Sequence, residues 1–295
     1  MRLFFSPQYV LAAHSFDTTR KAAWIAESLR LAPIPGVEVL APEALTPDQV
    51  AAVHDPAYVD AVRTGRSRGL ATSMGFVWDP GLWPMVLSSN GGVVAAARAA
   101  LRDGVAGSLS SGLHHARFDH GAGFCTFNGL VLAARAALDA GARRVLILDL
   151  DAHCGGGTCS LIVGDDAIRH LDVAVDRFDR YTPNAQHRLT LVEDGADYLA
   201  TIAEGLASVE ASASGFDLCL YNAGMDPYEG CAIGGLPGIT EAILERREEM
   251  VFAWCWRQRL PVAFVLAGGY TGPGLDEDGL VALHRLTITA AAARR

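Results

Sequence analysis

Lysine is nearly missing from this chain of 295 residues: Lys21 stands alone beside 23 arginines, and no segment gathers basic side chains together. With 33 acidic residues against 24 basic ones the formal charge is -9, which argues against nucleic-acid binding because phosphate contacts need concentrated positive charge. No run of 18 uncharged apolar residues occurs, which excludes a membrane-crossing helix. The opening stretch, Met1 to Leu11, lacks the apolar core and cleavage site of a secretory signal. Six cysteines are too few for a disulfide scaffold and form no CxxC pair, so reduced thiols in a cytoplasmic protein are expected. Charged residues are sparse at 19%, but hydrophobic residues reach 51%, enough for a large core and too many for a disordered chain. Repeats and low-complexity linkers are absent too, so residues 1–295 read as one domain. Heavy use of Ala, and of Arg over Lys, points to a GC-rich bacterial gene.

Short β-rich runs recur before long Ala-rich stretches. Strands are expected at Leu3 to Phe5, Val37 to Leu40, Val105 to Ser110, Val145 to Leu150, Leu171 to Val175, Phe216 to Tyr221 and Val262 to Leu266. Several are continuously apolar, as strands covered on both faces must be. Thr46-Pro47-Asp48-Gln49 has the form of a capping box with Pro in the first turn, opening a helix towards His54 that ends before Pro56. Asn90 to Arg102, Phe127 to Ala140, Leu191 to Val209 and Thr240 to about Arg259 predict further helices. Residues 63–87 and 176–189 carry no periodicity and read as long loops that shape a site. The alternation predicts a single-domain α/β fold with a mostly parallel central sheet flanked by helices.

The chemistry gathers at predicted strand ends. Val145-Leu-Ile-Leu-Asp149-Leu-Asp151-Ala-His153 is an apolar strand closing on two acids and an imidazole, followed by a glycine run, Gly155 to Gly157. Residues two apart on a strand share a face, so Asp151 and His153 point the same way with Asp149 one step deeper. The C-terminal ends of parallel strands form the usual ligand crevice, and this donor set suits a divalent ion such as zinc. Asp226 follows a second strand and can close a three-ligand site with positions left open. Ser110-Ser111-Gly112-Leu113-His114-His115 follows a third; these imidazoles are either further ligands or the groups that move a proton between water and a leaving amine. After a fourth, Gly268-Gly269 sets Tyr270 where a phenol could donate to a carbonyl oxygen becoming negative. A lone Asp here would be a turn cap, and a lone His or Tyr a core residue; their weight comes from occurring together.

In that order and spacing the segments resemble the histone deacetylase family, with its arginase–deacetylase fold, most closely the small class IV and bacterial members. His14-Ser-Phe16-Asp17, Val53-His54-Asp-Pro-Ala-Tyr58, Gly112-Leu-His114-His115, Gly123-Phe124-Cys125, Asp149-Leu-Asp151-Ala-His153, Tyr221-Asn-Ala-Gly-Met-Asp226 and Gly268-Gly269-Tyr270 carry the likeness. The resemblance implies metal ligands Asp151, His153 and Asp226, holding zinc or ferrous iron, and a structural potassium ion near Asp149. It implies His115 as general base and acid, His114 oriented by Asp149, and Tyr270 polarising an amide carbonyl. Gly123 and Phe124 would line a tunnel for an acylated aminoalkyl chain, with Ile233 a further substrate-binding residue. The substrate is then an acyl-lysine or a small acylated amine. A polyamine would call for acidic groups at the mouth, for which Asp79, Glu229 and the Asp176 loop are candidates.

Two departures stand out. Family members place an Asp or Asn three residues after the metal His to orient the second active-site His, and here that residue is Gly156. A second reading is therefore a non-catalytic or weakly active acyl-amine binder. The second tunnel aromatic is also open among Phe178, Tyr181 and His187. An arginase-like two-manganese centre needs an Asp-x-Asp near its last ligand, which Asp226-Pro-Tyr-Glu229 does not reproduce.

Overall fold

The apolar runs become strands whose alternate residues enter two different cores. In the computed structural model, which describes residues 1–12, 14, 16–211 and 215–293 (the side chain of residue 18 apart), Leu146 and Leu148 point into one core while Val145 and Ile147 point into the other. Tyr221 and Leu220, and likewise Phe264 and Val265, divide in the same way. A period of two with both faces covered favours apolar residues on either side of such a strand.

The strands are β1 Arg2–Phe4, β2 Glu38–Leu40, β3 Val105–Ser108, β4 Val145–Asp149, β5 Ile168–Ala174, β6 His187–Leu191, β7 Leu218–Gly224 and β8 Val262–Ala267. All pair in parallel, in the order β2-β1-β3-β8-β7-β4-β5-β6. The helices are α1 Lys21–Leu31, α2 Pro47–Ala51, α3 Pro56–Thr64, α4 Arg68–Ala71, α5 Leu82–Asp103, α6 Gly129–Asp139, α7 Gly156–Leu161, α8 Tyr198–Ala211, α9 Glu241–Gln258 and α10 Glu277–Ala292. Side chains of α1, α8, α9 and α10 fill one core, and those of α2, α3, α5 and α6 the other. This is the expected single-domain α/β architecture. Among the described residues no helix is long and apolar enough to cross a membrane.

Local chemistry explains what the pattern showed and what it hid. The Thr46 hydroxyl accepts from Gln49 N, and the Gln49 side chain accepts from Thr46 N, so the capping box forms; α2 stops at Ala51 and a separate helix starts at Pro56. Residues 63–87 are not one loop: they hold α4 and the first turns of α5, where Pro84 is tolerated because the first turn has no carbonyl behind it to bond. Residues 176–189 are not one loop either. β6 begins at His187, and its mostly half-buried His-Arg-Leu-Thr-Leu at the sheet edge makes no apolar run. The helix expected from Leu191 accordingly starts only at Tyr198.

β3, β8, β7 and β4 are consecutive in space, so their C-terminal ends open into one crevice. The four segments singled out by their chemistry follow just those four strands.

Candidate active site

Asp151 and His153 lie beyond the end of β4, and Asp226 lies two residues past β7. Each offers a ligand atom, and these atoms lie within 4.8 Å of one another. His153 Nδ1 is 3.1 Å from both Asp151 Oδ1 and Asp226 Oδ2. Backbone amides hold the carboxylates in place: Ala152 N donates to Asp226 Oδ1 at 3.0 Å, and His153 N to Asp151 Oδ1 at 3.0 Å. Asp226 Oδ2 is enclosed and receives no hydrogen bond of good geometry. Burial and the neighbouring Asp151 charge push the Asp226 carboxyl up to about 6, the cost of two anions in one dry place. Burial opposes the His153 imidazolium, yet both carboxylates outweigh it and raise it to about 11. Two carboxylates and an imidazole converging in this way fit a divalent ion of the zinc type.

Gly268, at φ +52°, closes one side of this group. A Cβ there would lie 2.3 Å from the Asp226 carboxyl carbon, so only glycine lets β8 turn against the acid and send Tyr270 over the crevice. Lys21, fully buried on α1, donates from Nζ to the Gly268 carbonyl.

The histidine pair follows β3. Asp149 Oδ2 lies 2.7 Å from His114 Nδ1, while Asn222 Nδ2 donates to its Oδ1 at 2.8 Å. The two Nε2 atoms of His114 and His115 are 3.1 Å apart, and His115 Nδ1 lies 3.0 Å from Asp179 Oδ2. Both Nδ1 atoms face carboxylates, so both carry protons, and one Nε2 must donate to the other. Burial would lower the His114 imidazolium, but the Asp149 and Asp151 charges push it up to about 10. Burial and the charge of His114 push His115 down to about 4. Both shifts favour His114 as the donor of the Nε2–Nε2 hydrogen bond and His115 as its acceptor.

The histone deacetylase domain profile matches residues 14–284. The chain belongs to the histone deacetylase family. It is 34% identical over 226 residues to an uncharacterized protein of Picosynechococcus sp., covering 74% of each chain. It is 31% identical over 189 residues to histone deacetylase 2 of Arabidopsis thaliana, covering 61% of this chain and 48% of that one. The match therefore spans about half the length of the plant protein. The fold superimposes on acetylpolyamine aminohydrolase from Burkholderia pseudomallei with a TM-score of 0.79 at 21% identity, covering 100% of this chain and 99% of that one.

Aromatic rings wall the approach to this deacetylase-family site. Phe124 lies 4.5 Å from the Phe16 ring and 5.2 Å from that of Phe76, and Phe16 lies 5.4 Å from Tyr270. Gly123 sits between the His115 ring and Phe178. Of the three aromatics left open by the sequence, Phe178 stands edge-on to His115 at 4.9 Å, whereas Tyr181 stacks on His170 and His187 belongs to β6. Ile233 is exposed on the segment next to Gly234, which packs against Ala152 and His153. Each acidic candidate already accepts a backbone N–H: Asp79 from Gly81, Asp176 from Phe178, and Glu229 from Gly238.

Three further residues were not legible as site residues. Asp179 sits in a stretch read as loop; the only hint was that Gly156 left His115 without a partner. Lys21 carried no motif of its own. Arg247 lies within a charged run, Glu245 to Glu249, that looks solvent-facing. It is in fact fully buried, donating to the Gly224 and Leu150 carbonyls at 2.6 and 3.4 Å and pairing with Glu248 at 2.5 Å. It braces β4 and β7 from behind, just before the metal-binding candidates.

Proposed function

We propose that this chain is a metal-dependent amide hydrolase that removes an acetyl or similar acyl group from an acyl-lysine or a small acylated amine. The observation that carries the reading is the placement of two adjoining imidazoles, His114 and His115, each backed by a carboxylate, beside a three-residue acid–imidazole cluster in one crevice. Asp151, His153 and Asp226 would hold zinc or ferrous iron, which when bound polarises water and the acyl carbonyl. His115 takes the proton of the attacking water on Nε2 and returns it to the leaving nitrogen as the amide C–N bond breaks, giving a carboxylate and a free amine. His114, held charged by Asp149, favours the negative charge that develops nearby. Tyr270 donates its phenol proton in a hydrogen bond to the carbonyl oxygen as that oxygen turns negative. Phe124 and Phe178 flank the acyl-bearing chain, with Gly123 leaving room between them and Ile233 at the rim. The buried cysteines, none in a disulfide among the described residues, support a reducing compartment such as the cytoplasm.

The non-catalytic reading rested on Gly156, and the Asp179 carboxylate, 3.0 Å from His115 Nδ1, supports the catalytic one instead. Metal analysis, with turnover of a fluorogenic acetyl-lysine amide and of an acetylated polyamine, tests the proposal against Asp226→Ala and Tyr270→Phe controls. Metal bound without turnover of either substrate would overturn it.

A further inference from the structure

Asp179 occupies the space that a side chain at position 156 would fill. A Cβ on Gly156 would lie 2.3 Å from the Asp179 carbonyl oxygen and 2.5 Å from its Oδ1, so a side chain at 156 and this carboxylate exclude one another. We infer that Asp179 is the positioning residue of the proton-transferring imidazole, the carboxylate that position 156 lacks being delivered to His115 from the loop between β5 and β6. The inference rests on the reading of His115 given above.

The site around Asp179 is built rather than incidental. Its Oδ2 lies 3.0 Å from His115 Nδ1 and accepts from Gly157 N at 3.0 Å. Its Oδ1 accepts from Arg117, which also donates to the Gly156 carbonyl at 3.4 Å. Arg117 thus clamps the carboxylate to the very residue whose missing side chain makes room for it. The side chain is 8% exposed; burial would raise its pKa, but His115 and Arg117 hold it below the ordinary carboxylate range. The backbone at Asp179 is left-handed, φ +58°, a conformation unfavourable to a residue with a Cβ but one that Asp tolerates better than most. The residue before it is tied down as well: the Phe178 carbonyl accepts from Cys154 N at 3.1 Å. One loop therefore supplies both a wall of the substrate path and the brace for the imidazole behind it. A carboxylate on Nδ1–H fixes the tautomer and puts the ring's lone pair on Nε2, the atom a general base must use.

The test uses the full-length, zinc-loaded chain with Asp179→Ala and Asp179→Asn. Asp179→Ala lowers kcat on the acetyl-lysine amide about 10- to 100-fold, with KM and metal content held near wild type. Asp179→Asn recovers part of the loss, since its amide oxygen still accepts Nδ1–H. Long-range proton–nitrogen spectra, with His115→Gln used to assign the ring among nine histidines, report the Nδ1–H form in the wild type and a mixture in Asp179→Ala. Unchanged kcat in Asp179→Ala, or equal losses in both variants accompanied by lost metal, would overturn the inference. A wild-type chain that turns over nothing would instead sink the hydrolase reading, and the tautomer spectra would still decide the role of Asp179.

Discussion

The crevice has two halves made in different ways. The carboxylate half, Asp151, His153 and Asp226, comes from residues just past the ends of two adjacent strands, and backbone amides fix its geometry. The imidazole half joins β3 to β4 through His114 and Asp149, and then needs Asp179, 64 positions along the chain from His115. Sheet register dictates the first half. Only the docking of a loop onto α7 completes the second. A site assembled on strand ends is held by the whole core, whereas one braced by a loop depends on a few local bonds.

Substitutions can break this comparison. Asp226→Ala removes a candidate ligand from the rigid half; the expected outcome is loss of bound metal and a fall in kcat of at least about 10³-fold, read by elemental analysis beside turnover. Retained metal would mean that the three groups do not act as one site. Tyr270→Phe keeps the ring and the metal but loses the donor, lowering kcat by about 10²–10³-fold with little change in KM. Gly156→Ala probes the loop-braced half without touching a reacting group. Its Cβ would lie 2.3 Å from the Asp179 carbonyl, so the loop is pushed from His115 and kcat falls about tenfold at constant metal content. Were Gly156→Ala to abolish metal binding, the two halves would not be separable.

The smallest effect is one of stability. His54 Nδ1 donates to the Arg117 carbonyl at 2.8 Å, and its Nε2 accepts from Asn128 N at 3.0 Å, so the ring is held neutral beneath the residue that clamps Asp179. Burial pushes it down to about 4, whereas in the unfolded chain it returns to roughly 6.5. As pH falls through that window the unfolded chain binds a proton that the folded one refuses, and stability drops by about 1.4 kcal/mol per pH unit from this group. Denaturant midpoints at pH 7 and pH 5 measure the slope, which His54→Gln should make shallower. An unaltered slope would show that His54 is not the group responsible.

Some of this was legible because the signal is local. Asp149, Asp151 and His153 are near neighbours in sequence after an apolar strand, and a strand-end position already implies the crevice of a parallel sheet. The same holds for Gly268 to Tyr270, where two glycines and an aromatic follow a buried run. Asp179 gave no such signal. It lies in a polar stretch without periodicity, and its role depends on a contact with a residue 64 positions away. Arg247 was hidden for a related reason: a charged residue within a charged run looks exposed, and only packing of α9 against β4 and β7 buries it.

Apolar runs, strand-end acids and the spacing of the motifs were enough to determine a parallel α/β sheet and which ends of it carry chemistry, because period and burial act over a few residues. Which four strands stand side by side, which carboxylate faces His115 and which aromatic stands beside it were decided by the tertiary structure alone. Those are distances between segments far apart in the chain, fixed by how the helices and loops pack rather than by any neighbour in sequence.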